Sequence, residues 1–284
     1  MKLYKIYFFA LIVVVSQHLS AQQIFVSDKL EKVWEITTGL NVVESSHYDE
    51  ATKTIYTSSI VGKYYEKDSI GYISKFSENG KLITKEWIKG LNAPKGISCS
   101  KTCLYVTDID RVLEISLKTG KILKEYRNTK TKSLNDVSVA PNGSVYVSDA
   151  EGNCVFQVGK DSLKVLLEGP ELEAMNGIYA QNDLVYLGSK SNLISINPKN
   201  KELKVVAEKV GYIDGLEQIS EGKFIVSNFG GGVKLVVVGK GVEKLIDTEA
   251  AKINAADLGY IPGKKLLLVP TFGNNRVVAY KLNF

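Results

Sequence analysis

Histidine is almost absent from this 284-residue sequence, which has only His18 and His47. His18 lies in an opening segment that carries Lys2 and Lys5, an apolar run from Ile6 to Val15, and small residues at Ser20 and Ala21. That arrangement is expected of a signal peptide over 1–21, with an exported mature chain, periplasmic or secreted, starting near Gln22. One histidine then remains, which excludes sites needing two or more, including most zinc centres and histidine-rich metallohydrolases. No G-x-S-x-G elbow occurs either, so a serine triad has no support. Cysteine is also scarce. Cys99 and Cys103 flank the tight turn Ser100-Lys101-Thr102, where a cross-hairpin disulfide and two small buried thiols fit equally well; Cys154 stands apart.

Long apolar runs are missing beyond the opening segment, so no membrane insertion is expected. Clusters of one charge are missing too. The 36 basic residues less the two leader lysines leave 34 against 31 acidic, about +3, scattered along the chain. Nucleic acid and anionic membranes need clustered Lys and Arg, so neither is an expected partner. A small-molecule ligand and a monomer are expected instead.

What the chain does contain is repetition. The stretch from Leu134 to Asp149, LNDVSVAPNGSVYVSD, reads as a polar pair, an alternating strand, a Pro-Asn-Gly turn, a second strand rich in Val and Tyr, and a closing Asp. Five relatives follow the same plan, opening at Glu44, Lys95, Asn176, Asp214 and Ala256. Successive openings are 51, 40, 41, 38 and 42 residues apart. A period near forty with several short strands and no helical periodicity predicts a β-propeller, and six copies mean six blades in one domain over 22–284.

Each hairpin is preceded by another short strand, over 33–37, 86–88, 122–126, 163–167, 203–207 and 242–246, and followed by a third, as in 112–116 and 193–196. The first outer strand has no blade before it, and the last third strand, 277–282, lacks an outer neighbour. The two are predicted to pair, so that the N-terminal strand closes the sixth four-stranded blade. The first repeat is the longest. Its excess, Val61 to Ser69, falls in a loop on the face where the hairpins open, making Tyr64 and Tyr65 candidates for a lid or for a plain solvated loop.

The six opening residues form one ring around the propeller axis: Glu44, Lys95, Asn135, Asn176, Asp214 and Ala256. Two carboxylates and two amide oxygens at one point suit Ca²⁺ and, less well, Mg²⁺ or Mn²⁺. Singly, Asn-Gly and Asp-Gly are ordinary turn dipeptides; the common register gives them weight. Lys95 departs from the pattern, since an ammonium there can pair with Glu44 or Asp214 in place of a metal. Ala256 offers nothing, although Asp257 is next to it. Arg111, Phe229, Phe272 and Arg276 lie in loops on the same face. Asp108, Asp149 and Asn228 end second strands and are read as turn caps. His47 is read as a core histidine, with the tunnel wall as the alternative.

Glu44, Asn135-Asp136, Asn176-Gly177 and Asp214-Gly215 together resemble the senescence marker protein, gluconolactonase and luciferin-regenerating enzyme family. The blade pattern covers the mature chain, and sharp agreement is confined to these four places. The resemblance implies a six-bladed propeller with one catalytic divalent cation, Ca²⁺ or Zn²⁺ in many members, that hydrolyses lactones or related esters. It implies metal ligands at Glu44, Asn176 and Asp214, Asn135 and Asp136 beside the metal contacting substrate or its water, and Asp214 as general base. A propeller that keeps the polar ring but only binds a ligand or protein is the alternative, and a purely structural ring neutralised by Lys95 is a third.

Overall fold

The computed structural model describes residues 24–284; the signal peptide expected over 1–21 lies outside the described residues. Six antiparallel sheets carry the fold, and among the described residues the helical elements are three single turns of 3-10 helix. Each sheet is one blade, and the inner strands are Val43–Asp49, Pro94–Cys99, Leu134–Val139, Ile178–Ala180, Leu216–Ser220 and Gly259–Ile261. Blades are numbered here in that order.

Burial within a blade explains its sequence. Second strands are sandwiched between neighbouring blades, so Thr54–Ser59 and Val145–Asp149 are buried along their whole length and read as near-continuous β-formers. Outer strands such as Ile122–Tyr126 and Gly241–Asp247 are mostly exposed and carry the lysines and glutamates. Among the described residues the buried apolar side chains form six clusters, each built from two consecutive blades. The core therefore lies between blades, and a single blade cannot bury its own faces.

The ring is closed as the sequence predicts. Leu30–Ile36 pairs with Val277–Leu282, with Glu31 opposite Lys281 and Ile36 opposite Val277. The strand begins three residues earlier than expected and ends one earlier. The outer strand of blade 1 runs over Leu82–Leu91, longer than 86–88, because Glu86 takes a left-handed φ of 53° and its N–H turns to Ser74 Oγ at 3.2 Å, continuing the strand past a bulge. Phe25–Val26 pairs with Gly241–Asp247 and gives blade 5 a fifth strand. Two residues carry too little periodicity for that strand to be read from sequence.

Candidate functional site: a ring of unpartnered oxygens

In all six blades the opening residue is excluded from the regular ladder. Blades 1, 2 and 3 have register breaks between Val43 and Ser46, Pro94 and Ile97, and Leu134 and Val137, and these spans contain Glu44, Lys95 and Asn135. In blades 4, 5 and 6 the strand starts only after Asn176, Asp214 and Ala256. A break of this kind frees a side chain to be aimed elsewhere, here toward the axis. The next residue is then pinned by a hydroxyl from the second strand. Ser45 N–H donates to Ser58 Oγ at 3.0 Å, Asp136 N–H to Ser148 Oγ at 2.9 Å, and Gly215 N–H to Ser227 Oγ at 2.7 Å. Ser227 Oγ also donates to the Ala256 carbonyl of the following blade at 2.7 Å. These serines were missed in the sequence, where they stand one place before the closing residue of Ser58-Ser59, Ser148-Asp149 and Ser227-Asn228.

The glycines beside the ring are there for space rather than for a turn. A Cβ on Gly215 would lie 2.4 Å from Leu258 N, one on Gly177 2.6 Å from the Asp214 carbonyl oxygen, and one on Gly96 2.6 Å from Asp136 Cα. Each blade thus presses its glycine against the opening residue of the next, or the residues just after it, and the ring is drawn tight.

The structure brings Glu44, Asp136, Asn176 and Asp214 together in the buried interior, each 6% exposed or less, with Asn135 half-buried in the blade 3 seat. Five of their oxygens are buried without a hydrogen-bond partner: Glu44 Oε2, Asn135 Oδ1, Asp136 Oδ1, Asn176 Oδ1 and Asp214 Oδ2. Asn176 Nδ2 donates to Asp214 Oδ1 at 2.5 Å and to the Tyr212 hydroxyl at 2.9 Å. Asp257, one place beyond Ala256, accepts from Ser45 Oγ at 2.5 Å. Orphaned buried oxygens are rare, and a group of them on one axis has the chemistry of a cation cradle. Among the described residues no three His, Cys, Asp or Glu side chains gather into a metal cluster, so a cation here depends on the asparagine amides as well as on Glu44 and Asp214.

Burial dominates the electrostatics. It pushes Glu44 well above the usual carboxylate range, with the charges of Asp214 and Asp257 adding to it and Lys95 opposing. Asp136 is raised likewise by burial, then by Asp257, Glu44 and Asp214. Asp214 is pushed up to about 7 by burial, against the pull of Lys95. Burial takes Asp257 to about 8, with the Ser45 hydrogen bond opposing and Asp214 adding. Four carboxyl groups share this interior with one ammonium, a balance that only protons or a cation can correct.

Lys95 does not fill that role by contact. It acts on Glu44, Asp136 and Asp214 through its charge alone, with no hydrogen bond to any of them, and its Nζ lies 5.8 Å from the Tyr64 ring. The alternative in which Lys95 pairs directly with Glu44 or Asp214 is not what the structure has. Tyr64 stacks edge-on against Tyr65 at 5.1 Å, and both rings are more than half exposed. Phe229 and Phe272 stack at 5.0 Å. The two arginines of this face are tied to structural partners. Arg111 bonds Asp108 Oδ2 and Glu125, and Arg276 bonds Glu35. Asn228 caps its own turn as expected, accepting from Gly230 N–H, and Asp149 does so through Gly152 N–H. Asp149 also accepts from Lys132 and Ser133 N–H, and Asp108 from Asn92 and Ala93 N–H, so these two carboxylates hold the backbone ahead of the inner strand, and the turn-cap reading of Asp108 is corrected.

His47 belongs to the other end of the axis. A cavity of about 620 Å³ opens on the face away from the ring and reaches up to Asp136 and Asp257; His47 and Cys99 form part of its wall. Burial lowers His47 to about 4, and its Nε2 accepts from Cys99 N–H at 3.2 Å. Cys99, Cys103 and Cys154 are all free thiols, so the cross-hairpin disulfide is not formed.

No protein-family model matches the chain, and no curated protein matches it. Solved structures do. A catalytically inactive virginiamycin B lyase from Staphylococcus aureus with quinupristin is 10% identical, with 92% of this chain and 100% of that chain covered at a TM-score of 0.60. A streptogramin B lyase is 11% identical over 92% and 98% at 0.61, and a luciferin-regenerating enzyme is 16% identical over 89% and 94% at 0.62. At these identities the likeness concerns the fold, and the fold it concerns is the six-bladed propeller.

Proposed function

We propose that the chain is a metal-dependent hydrolase of lactones or related esters, with one divalent cation held by Glu44, Asn176 and Asp214. The observation that supports this most is that Glu44 Oε2, Asn176 Oδ1 and Asp214 Oδ2 are all buried and all without a partner, with Asn176 bonded to Asp214 and the charges of Glu44 and Asp214 felt by one another. An oxygen-only donor set favours Ca²⁺, then Mg²⁺ or Mn²⁺, over Zn²⁺. When bound there, such a cation would polarise the carbonyl and acidify a water.

The protein's own groups supply the rest. Asp214, ionised once the cation is bound, is the group that takes the proton of the attacking water, and Asn176 Nδ2 holds its Oδ1 in place. Asn135 presents Oδ1 to the substrate or its water, and Asp136 stands beneath it as a second acceptor. Lys95, close by in charge but not bonded, offsets the carboxylates once they ionise. The lyase and the luciferin-regenerating enzyme share the fold, which is compatible with this reading.

Metal content of the purified protein and its melting temperature with chelator and with added Ca²⁺ test the cation. A bound ion at a hundredfold excess over its Kd adds about 2.7 kcal/mol by mass action. A lactone panel then tests turnover, which is expected to be lost in Asp214→Asn. Metal binding without turnover would favour the binding-only propeller.

A further inference from the structure

The cavity at the far end of the axis carries three acids that the proposed hydrolase does not use, Glu50, Asp183 and Glu217, beside Asp136 and Asp257 at the underside of the ring. Five carboxyl side chains line it, Glu50, Asp136, Asp183, Glu217 and Asp257, and no lysine or arginine does. Asp136 is 3% exposed, and its Oδ1 has no partner. Glu217 is pushed well above the usual range by burial and then by Asp257, with no hydrogen bond or ion pair to relieve it. His47 is kept uncharged by burial at neutral pH, so no base of the wall offsets these acids. Lys95 acts on Asp136 through its charge but not on Glu217. Asp183 alone has an external partner, Lys199, at the rim.

We propose that this cavity binds a small organic cation with amines spaced along a flexible chain, a linear polyamine in its chemistry, at a site separate from the ring above it. A bare divalent ion needs several oxygens converging at about 2.3–2.6 Å. The acids here do not gather in that way. They are distributed from the outer turns near Pro141, Asp183 and Pro262 to the underside of the ring at Asp136 and Asp257. A linear polycation can meet such a series one ammonium at a time. Tyr48, Tyr179 and Tyr260 line the same wall, and aromatic rings are partners that ammonium groups favour. The volume, about 620 Å³, lies within the range of small-molecule sites.

Calorimetric titration with spermidine, in the presence of saturating Ca²⁺, tests this directly. One saturable spermidine site is expected, with no binding of 1,8-octanediol, a neutral chain of similar length. Glu217→Gln is expected to weaken spermidine at least tenfold while the Ca²⁺-dependent rise in melting temperature stays as in the wild type. Gln181→Lys, which sets a tethered ammonium in the wall, is expected to abolish binding and stands in if Glu217→Gln fails to fold. Absence of saturable spermidine binding overturns the proposal, as does equal binding of the diol or indifference to both substitutions. Displacement of spermidine by Ca²⁺, with loss of one bound Ca²⁺ in Glu217→Gln, overturns it in favour of an inorganic ion. The ring hydrolase is judged separately, by its own metal content and turnover.

Discussion

Asn176 donates one amide hydrogen to Asp214 Oδ1 at 2.5 Å and another to the Tyr212 hydroxyl at 2.9 Å. With both hydrogens engaged, the amide has only Oδ1 left to offer, beside the free Oδ2 of Asp214. Two residues 38 positions apart thus form one two-oxygen jaw.

Asn176→Leu keeps the bulk and removes the jaw. The Ca²⁺-induced rise in melting temperature is expected to need at least about tenfold more Ca²⁺, by the scale on which disturbed metal sites lose affinity. Asn176→Asp, which keeps an oxygen, is expected to retain the rise. Calorimetry in Ca²⁺ and in chelator checks both.

In chelator, stability is expected to fall as pH rises from about 4 to about 8. Burial pushes the folded carboxyls of Asp214 and Asp257 up to about 7 and about 8, whereas in the unfolded chain they ionise near 3.8. Between those limits the native state holds protons that the unfolded state has released, so unfolding gains ground with each pH step up to about 8. Ca²⁺ is expected to reverse the trend, because binding displaces those protons and becomes tighter with pH. Melting curves at a series of pH values, with and without Ca²⁺, give the two slopes.

Gly215→Ala forces a methyl to within 2.4 Å of Leu258 N in the next blade. A loss of about 1–3 kcal/mol is expected from this overpacking. Gly263→Ala, where a Cβ meets nothing within 4 Å, serves as the control and is expected to be close to neutral. Ser227→Ala leaves Gly215 N–H and the Ala256 carbonyl unpaired at once and is expected to cost about 1–3 kcal/mol for each buried group left unsatisfied. Urea denaturation measures all three.

Removal of residues 24–36 deletes the strand that covers Val277–Leu282. The expected outcome is loss of the cooperative thermal transition for the whole molecule, since Leu30 and Ile36 belong to the clusters on both sides of blade 6. Fraying of one end with an otherwise normal transition would show the seam to be dispensable.

The propeller was legible because spacing is a property of the chain itself. Six hairpins near forty residues apart, with an unmatched strand at each end, leave little choice but a closed ring. The shared register of Glu44, Asn135, Asn176 and Asp214 was legible for the same reason. What escaped depends on the approach of one blade to the next. Gly177 and Gly215 look like turn glycines until the following blade is seen against them. Ser148 and Ser227 look like ordinary strand-end hydroxyls until their partners, Asp136 N–H and Gly215 N–H, are located. Lys95 shares the ring register, yet its ammonium reaches toward Tyr64, and no pattern in the sequence states a side chain's direction. The far cavity escaped as well, since its acids come from separate blades, with Asp136, Glu217 and Asp257 roughly forty to eighty residues apart.

The pairing of Leu30–Ile36 with Val277–Leu282 also governs how the protein reaches its native state. Every cluster draws on two blades, so an open arc of blades keeps an uncovered apolar face at each end, whatever its length. Both faces are buried together when the first strand meets the last. That event closes the longest loop in the molecule, and loop closure must be complete before its contacts give anything back. Refolding is therefore expected to be slow and to finish at the seam, with a stage before it that is sticky and open-ended.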